Sequence, residues 1–291
     1  MSASLTNMNA SRRNWLLLLT VCAVVASLPL QLAAQVAAPA VQIEDDPDLD
    51  LDPLQTDFMV ITMPTTLRVP RHKSSFRVTH RFGRPLAAGT FGELAADLFG
   101  LDSGAQIGME YRYGLLRGTQ IGINRTSNRT IEFFAQQDIV QERDGHPVSL
   151  AIIGAVDGTN NFRDEYTPSV GLVMSRKVGR VATVYLQPVW VANSNLSTSA
   201  LADDDHSFLL GVGTRVRVRP TVYLVAEFIP RVAGYEPGVH QAAFGIEKRA
   251  GGHTFQIDFS NGFGTTRGQI ARGGTGNEDW YLGFHISRKF F

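Results

Sequence analysis

The chain has 291 residues, 27 basic and 27 acidic side chains, 44% hydrophobic content and a single cysteine. A formal net charge of zero gives no support to nucleic acid as a partner. One cysteine excludes an internal disulfide and any site built from several thiolates.

Residues 1–34 read as an export signal. Arg12 and Arg13 precede the apolar core WLLLLTVCAVVASLPL (15–30), and the small-residue run after it offers cleavage following Ala34. The apolar run is short for a membrane anchor and is broken by Pro29. The cysteine, Cys22, lies inside this core with Val21 before it, where lipidation would need a small residue. Cleavage therefore leaves a chain without cysteine, and so without a cysteine nucleophile.

Residues 35–73 form an acidic linker followed by a more apolar stretch. EDDPDLDLDPLQTD (44–57) holds seven acids and two prolines, so it is expected to be disordered. The alternation of Asp46, Asp48, Asp50 and Asp52 lacks the glycine turn and terminal glutamate of a calcium loop, which favours a solvated charge run. FMVITMPTTLRVPRHK (58–73) is apolar enough to bury, but Pro64 and Pro70 make it a poor ladder strand. Two readings stay open. It is a loose tether, or it folds into the lumen or across the mouth of a barrel formed by the residues after it, with Arg68, Arg71 and Lys73 meeting Glu110, Glu132, Glu227 or Glu247.

From Ser74 onward the pattern has period two. Phe76, Val78, His80 and Phe82 alternate with Ser75, Arg77, Thr79 and Arg81, and the same alternation recurs to the C-terminus. The expected strands are 74–83, 104–113, 118–126, 129–139, 148–157, 167–177, 181–192, 207–218, 222–231, 239–249, 254–260 and 279–290. Their length suits tilted membrane-spanning strands better than ordinary globular ones. Connections alternate long and short, the long ones being 84–103, 158–166, 193–206, 232–238 and 261–278, with 127–128 the exception. Long external loops, short periplasmic turns and an even strand count together favour a membrane barrel over a soluble sandwich. In the first long loop, Leu94, Leu98 and Phe99 have helical spacing, so LAAGTFGELAADLFG (86–100) is expected to hold a short helix. The final strand, WYLGFHISRKFF, ends on two phenylalanines and resembles the C-terminal signal read by the barrel-assembly machinery.

The strings FRVTHRFGR (76–84), ELAADLFGLDSG (93–104), HPVSLAIIG (146–154), EKRAGGHTFQIDFSN (247–261) and GFHISRKFF (283–291) resemble, in this order, an uncharacterised family of bacterial outer-membrane β-barrels, a domain of unknown function. The likeness runs from Ser74 to the C-terminus. It implies a barrel and an outer-membrane location, and it implies no activity, ligand or functional residue.

The residues themselves offer little chemistry. His253 and Ser260 are seven apart, on opposite faces of a regular strand. If Glu247 and Arg249 meet Gln256 and Thr254, the turn is Ala250 to His253 and Ser260 lies opposite Ala243, out of reach of the histidine. Asp203, Asp204, Asp205 and His206 read as a solvated acidic loop rather than a protease rim. No catalytic, cofactor-binding or metal residue is assigned. The inward parity collects Arg77, Arg81, Arg112, Arg215, Arg217 and Arg249 with Glu110, Glu132, Glu227, Glu247 and Asp258 as lumen-lining residues. Six bases against five acids favour a network of ion pairs in a narrow barrel over a constriction of one sign.

The expected fold is thus all-β: a closed antiparallel transmembrane β-barrel of about twelve strands with a short helix in the first outer loop. The expected place is the bacterial outer membrane after signal-peptide export, with outer-membrane lipid, the assembly machinery and a small solute as partners. The preferred role is a passive narrow channel or a structural envelope protein. The alternatives are an outer-membrane enzyme acting on lipid or peptide, and a binding module for a periplasmic partner.

Overall fold

The computed structural model describes residues 47–50, 52–195, 205–236, 238–276 and 278–291. The proposed signal and cleavage site, and Asp203 and Asp204, lie outside them. The described strands are β1 Ser74–Phe82, β2 Ala105–Leu116, β3 Thr119–Thr126, β4 Ile131–Val140, β5 Ser149–Gly158, β6 Asp164–Val178, β7 Ala182–Val191, β8 Ser207–Arg219, β9 Val222–Ile229, β10 Arg231–Gly234, β11 Gln241–Ala250, β12 His253–Ser260 and β13 Tyr281–Lys289. All pairings are antiparallel, and β1 pairs with β13 from Ser75↔Lys289 to Arg81↔Gly283, which closes the sheet on itself.

Twelve strands make the barrel, because β9 and β10 are one strand interrupted at Pro230. Both lie on β8, with Val212↔Phe228 on one side of the break and Arg231↔Leu209 on the other. Proline has no N–H for the ladder, so the strand bends there and its register shifts between Arg231 and Ala233.

Ser74 and Lys289 share one rim, the terminal rim; the opposite one is the loop rim. Connections 117–118, 141–148, 179–181, 220–221 and 251–252 join strands at the terminal rim, and 83–104, 127–130, 159–163, 192–206, 235–240 and 261–280 join them at the loop rim; the expected alternation of long and short is broken by 141–148, which is longer than 127–130, 159–163 and 235–240. The β11–β12 hairpin turns on two glycines, with Gly251 at φ +57°, the left-handed conformation that tight hairpins require. The turn thus runs from Ala250 to His253, as the facing-residue register predicts, and His253 closes it opposite Ala250 as the first residue of β12.

Outward side chains are apolar and half-exposed, among them Met109, Ile121, Leu172, Leu224, Ile246 and Ile257. Aromatic pairs gather near the loop rim: Phe133 with Phe162 (5.1 Å), Trp190 with His206 (5.4 Å) and Phe244 with Trp280 (5.4 Å between ring centroids). A tall apolar band bordered by aromatics is the surface a barrel presents to lipid.

Short helices lie at the loop rim. Helix α1 (Phe91–Ala96) starts at a capping box in which Thr90 and Glu93 satisfy each other's backbone N–H groups. It stops sooner than the spacing of Leu94, Leu98 and Phe99 implies. Asp97 takes up the Gly100 N–H, and Leu98 and Phe99 turn left-handed at φ 51° and 60°. Helix α2 (Arg267–Ala271), with no forerunner in the sequence reading, is buried at all five positions.

The hydrophobic core sits inside the barrel. Val60, Ile61 and Met63 from the segment before β1 pack with Tyr185, Val189, Leu209, Val225 and Ile229 of the wall and with Ile270 and Ala271 of α2.

Candidate functional site: the filled lumen

Residues 52–73 enter the lumen from the terminal rim, turn, and leave by the same rim into β1. The turn lies at Val60–Met63, where the Val60 N–H donates to the Met63 carbonyl (2.7 Å) and the Thr65 N–H to the Phe58 carbonyl (2.8 Å). This finger has no ladder of its own beyond an isolated Met59↔Pro64 bridge. An irregular backbone at membrane depth persists only if protein groups satisfy it, and the inward wall supplies them. Tyr223 Oη donates to the Pro53 carbonyl (2.8 Å), Thr183 Oγ1 to Leu54 (2.9 Å), Arg215 to Met59 (2.8 Å), Gln256 to Val60 (2.9 Å), Arg77 to Ile61 (2.8 Å), Gln136 to Thr65 (3.0 Å) and Gln141 to Thr66 (3.0 Å).

At the tip, the Glu227 carboxylate accepts the consecutive N–H groups of Ile61 (3.1 Å), Thr62 (2.9 Å) and Met63 (3.0 Å), and the Thr62 hydroxyl as well. A carboxylate receiving three aligned donors is a strong, charge-assisted clasp. Glycine makes room elsewhere. A Cβ on Gly114 would stand 2.2 Å from the Pro70 carbonyl oxygen, at the point where the finger exchanges backbone hydrogen bonds with β2. Gly211 likewise faces the end of Met63.

The residues assigned to the lumen from sequence divide by partner. Arg215 pairs with Glu247 (2.9 Å), Arg81 with Asp258 (3.1 Å) and Arg112 with Glu110 (2.5 Å), all within that set. Three others find partners that the sequence did not supply. Arg77 lies 3.6 Å from Asp57 of the finger, Glu132 pairs with Arg267 of α2 (2.5 Å), and Glu227 holds finger backbone. Arg217 and Arg249, toward the terminal rim, have no ion pair within 4 Å among the described residues.

The charges expected to bind the finger are corrected. Arg71 and Lys73 are exposed, and Arg68 pairs not with a glutamate but with Asp138, Asp144 (3.4 Å) and Asp48 (3.9 Å). The acidic linker is likewise ordered where it is described: Asp48 meets Arg143 (2.5 Å) and Asp52 meets Lys177 (2.6 Å). Expected disorder gives way because the terminal rim provides the counter-charges that the run lacks by itself.

Helix α2 closes the other end. Arg267 donates to Glu132 through both backbone and side chain, and the Gly268 N–H and Thr266 hydroxyl donate to Asp157. Cavities between finger, α2 and wall measure about 10 to 20 Å³, room for about one water each.

The arrangement also bears on catalysis. His253 sits at the terminal rim beside Arg288, whereas Ser260 is buried, bonded to Arg81 and the Gly262 carbonyl. One grouping did escape the sequence reading: His285 Nε2 lies 2.6 Å from Asp258, and His285 Nδ1 is reached by the Thr79 hydroxyl at 3.1 Å. It has the parts of an acid, base and hydroxyl relay, but Arg77 donates to the same Nδ1 at 2.7 Å, so the lone pair a base needs is occupied. The group lies beneath the finger, with His285 2% exposed.

The profile of a family described as "Membrane bound beta barrel domain (DUF5777)" matches residues 56–290. No curated protein matches the sequence. Among solved structures, a NanC porin is similar over 75% of this chain and 99% of its own, with a TM-score of 0.50 and 8% identity. A triple mutant of Rhodopseudomonas blastica porin matches at a TM-score of 0.34 and 14% identity, and a second variant of it at 0.33 and 15%. Each of these two covers 64% of this chain, which spans 55% of the length of that porin. At such identities the likeness is one of fold.

Proposed function

The chain belongs to the family of membrane-bound β-barrel domains, and from that premise we propose a passive barrel of the bacterial outer membrane whose lumen is shut by its own N-terminal finger. One observation carries the reading: the inward polar side chains spend their hydrogen bonds on finger backbone rather than on an aqueous path. A twelve-stranded barrel is narrower than an open porin of 16–18 strands, so a double-backed finger is enough to fill it. Channel activity then requires the finger to leave. For the enzymatic alternative, the described residues offer the Thr79 hydroxyl beside His285, whose Nδ1 is already taken by Arg77. The reading places the terminal rim in the periplasm, where an exported chain would begin insertion.

Deleting residues 44–73 while keeping the export signal tests the proposal in planar bilayers. Full-length protein is expected to show little or no conductance and the deletion variant stable openings. A properly folded deletion variant that conducts no better than the full chain would refute closure by the finger.

A further inference from the structure

The first long loop, 83–104, is built inside out for a segment in water. Two of its charged groups face one another: the Arg84 guanidinium donates to the Asp97 carboxylate (2.5 Å) and to the carbonyls of Ala88 (2.8 Å) and Glu93 (3.2 Å), leaving the Arg84 and Asp97 side chains 19% and 17% exposed, while the Glu93 carboxylate is exposed and turned back on Thr90. Leu94 is buried, but four large apolar groups face away: Phe91 is 76% exposed, Leu98 57%, Leu101 54% and Phe99 40%. Leu98 and Phe99 hold left-handed backbone conformations that are unfavourable for such side chains. Soluble loops do the opposite, and clustered apolar exposure of this kind marks a contact surface.

The position of the loop identifies the contact. Gly100 packs over Phe82, where a Cβ would lie 3.3 Å from that of the phenylalanine. Phe82 is on the outward parity of β1, grouped with outward His80 and Phe284 at ring distances of 4.6 and 6.1 Å. The loop therefore lies against the lipid side of the barrel, continuous with the apolar band and level with the loop-rim aromatics, and not over the lumen. We propose that α1 and the following turn are seated in the bilayer, with Phe91, Leu98, Phe99 and Leu101 inserted at the boundary between headgroups and acyl chains of the leaflet on the loop-rim side. Short amphipathic segments bind at that depth through their apolar face. The occupant of this surface is the bilayer itself.

The test uses full-length barrel with Cys22→Ser and one added cysteine, Phe91→Cys or Leu98→Cys, labelled with an environment-sensitive fluorophore. It is reconstituted in phosphatidylethanolamine–phosphatidylglycerol vesicles with and without doxyl-labelled lipid. Ile257→Cys serves as the lipid-facing reference and Arg163→Cys, in an exposed turn on the same rim, as the aqueous one. Labels at 91 and 98 should be blue-shifted, quenched by doxyl lipid comparably to 257, and shielded from iodide. All substituted positions are at the surface, and a heat-dependent gel shift checks each variant for a closed barrel. Iodide quenching equal to that at 163, without doxyl quenching, would overturn the proposal. So would shielding that vanishes on dilution of protein in lipid, which would assign the surface to a second copy of the chain.

Discussion

Arg215 is fully buried and donates to the Glu247 carboxylate, the Met59 carbonyl and the Tyr185 hydroxyl, so one guanidinium ties together β7, β8, β11 and the finger. Removing one member of such a pair strands the other charge away from water. Arg215→Met is expected to destabilise the barrel by about 3–5 kcal/mol. Adding Glu247→Leu removes the stranded carboxylate and should bring the cost back to about 1–3 kcal/mol, the residue being the unpaired Met59 carbonyl and Thr56 hydroxyl. Urea unfolding of vesicle-reconstituted variants measures both. A double variant as unstable as the sum of its two singles would show that the pair is not the unit. Inward parity was enough to find Arg215 and Glu247 in the sequence, because a period of two assigns each side chain to a face. It could not find Asp57 or Arg267 as partners, since Asp57 comes from an irregular segment and Arg267 from a five-residue helix too short to show a period.

Among the elements, the strands were the most legible. Alternation placed them, and facing-residue logic gave the Glu247↔Gln256 and Ala243↔Ser260 pairings that the β11–β12 hairpin adopts. What stayed hidden depends on contacts distant in sequence. Helix α2 is held by Glu132 and Asp157, more than 100 residues away, and the finger by groups up to 230 residues away. Helix α1 was legible but its end was not, because Asp97 caps a turn whose next residues leave helical space. That loop also carries a pH dependence. The Glu93 carboxyl is held below its usual value by the Thr90 backbone N–H and hydroxyl, and that of Asp97 by the Arg84 guanidinium. A depressed carboxylate stabilises fully above its ordinary range, and the contribution is lost as pH falls through the depressed value. Amides of residues 91–97 should therefore be protected from hydrogen exchange near neutrality and lose protection, after correction for intrinsic rates, below about pH 4. Thr90→Ala should lower protection at neutral pH too. Protection unchanged down to pH 2.5 would mean that packing, not capping, holds α1.

For the molecule as a whole, what matters is that both ends of the finger leave by one rim. A segment that crossed the lumen from rim to rim would have to be threaded out, whereas a doubled-back finger can withdraw as a unit without breaking the barrel ladder. Its attachment differs in kind from that of the wall. The wall is a closed ladder of backbone pairs, while the finger depends on side-chain hydrogen bonds, a small apolar tip and a few ion pairs, so it belongs to the part of the structure that opens at lower free energy. Mild urea should thus release the finger first and produce conductance while the barrel stays folded. A cross-link can decide whether that conductance arises from withdrawal. Thr66 Oγ1 and Ser175 Oγ are 2.5 Å apart, one on the returning arm of the finger and one on β6, so cysteines at both positions bring their sulfurs within bonding range. In a Cys22→Ser background, T66C/S175C should oxidise readily, stay closed in mild urea, and open on reduction like the parent chain. Openings that appear equally in the oxidised protein would place the conducting path somewhere other than the space the finger fills.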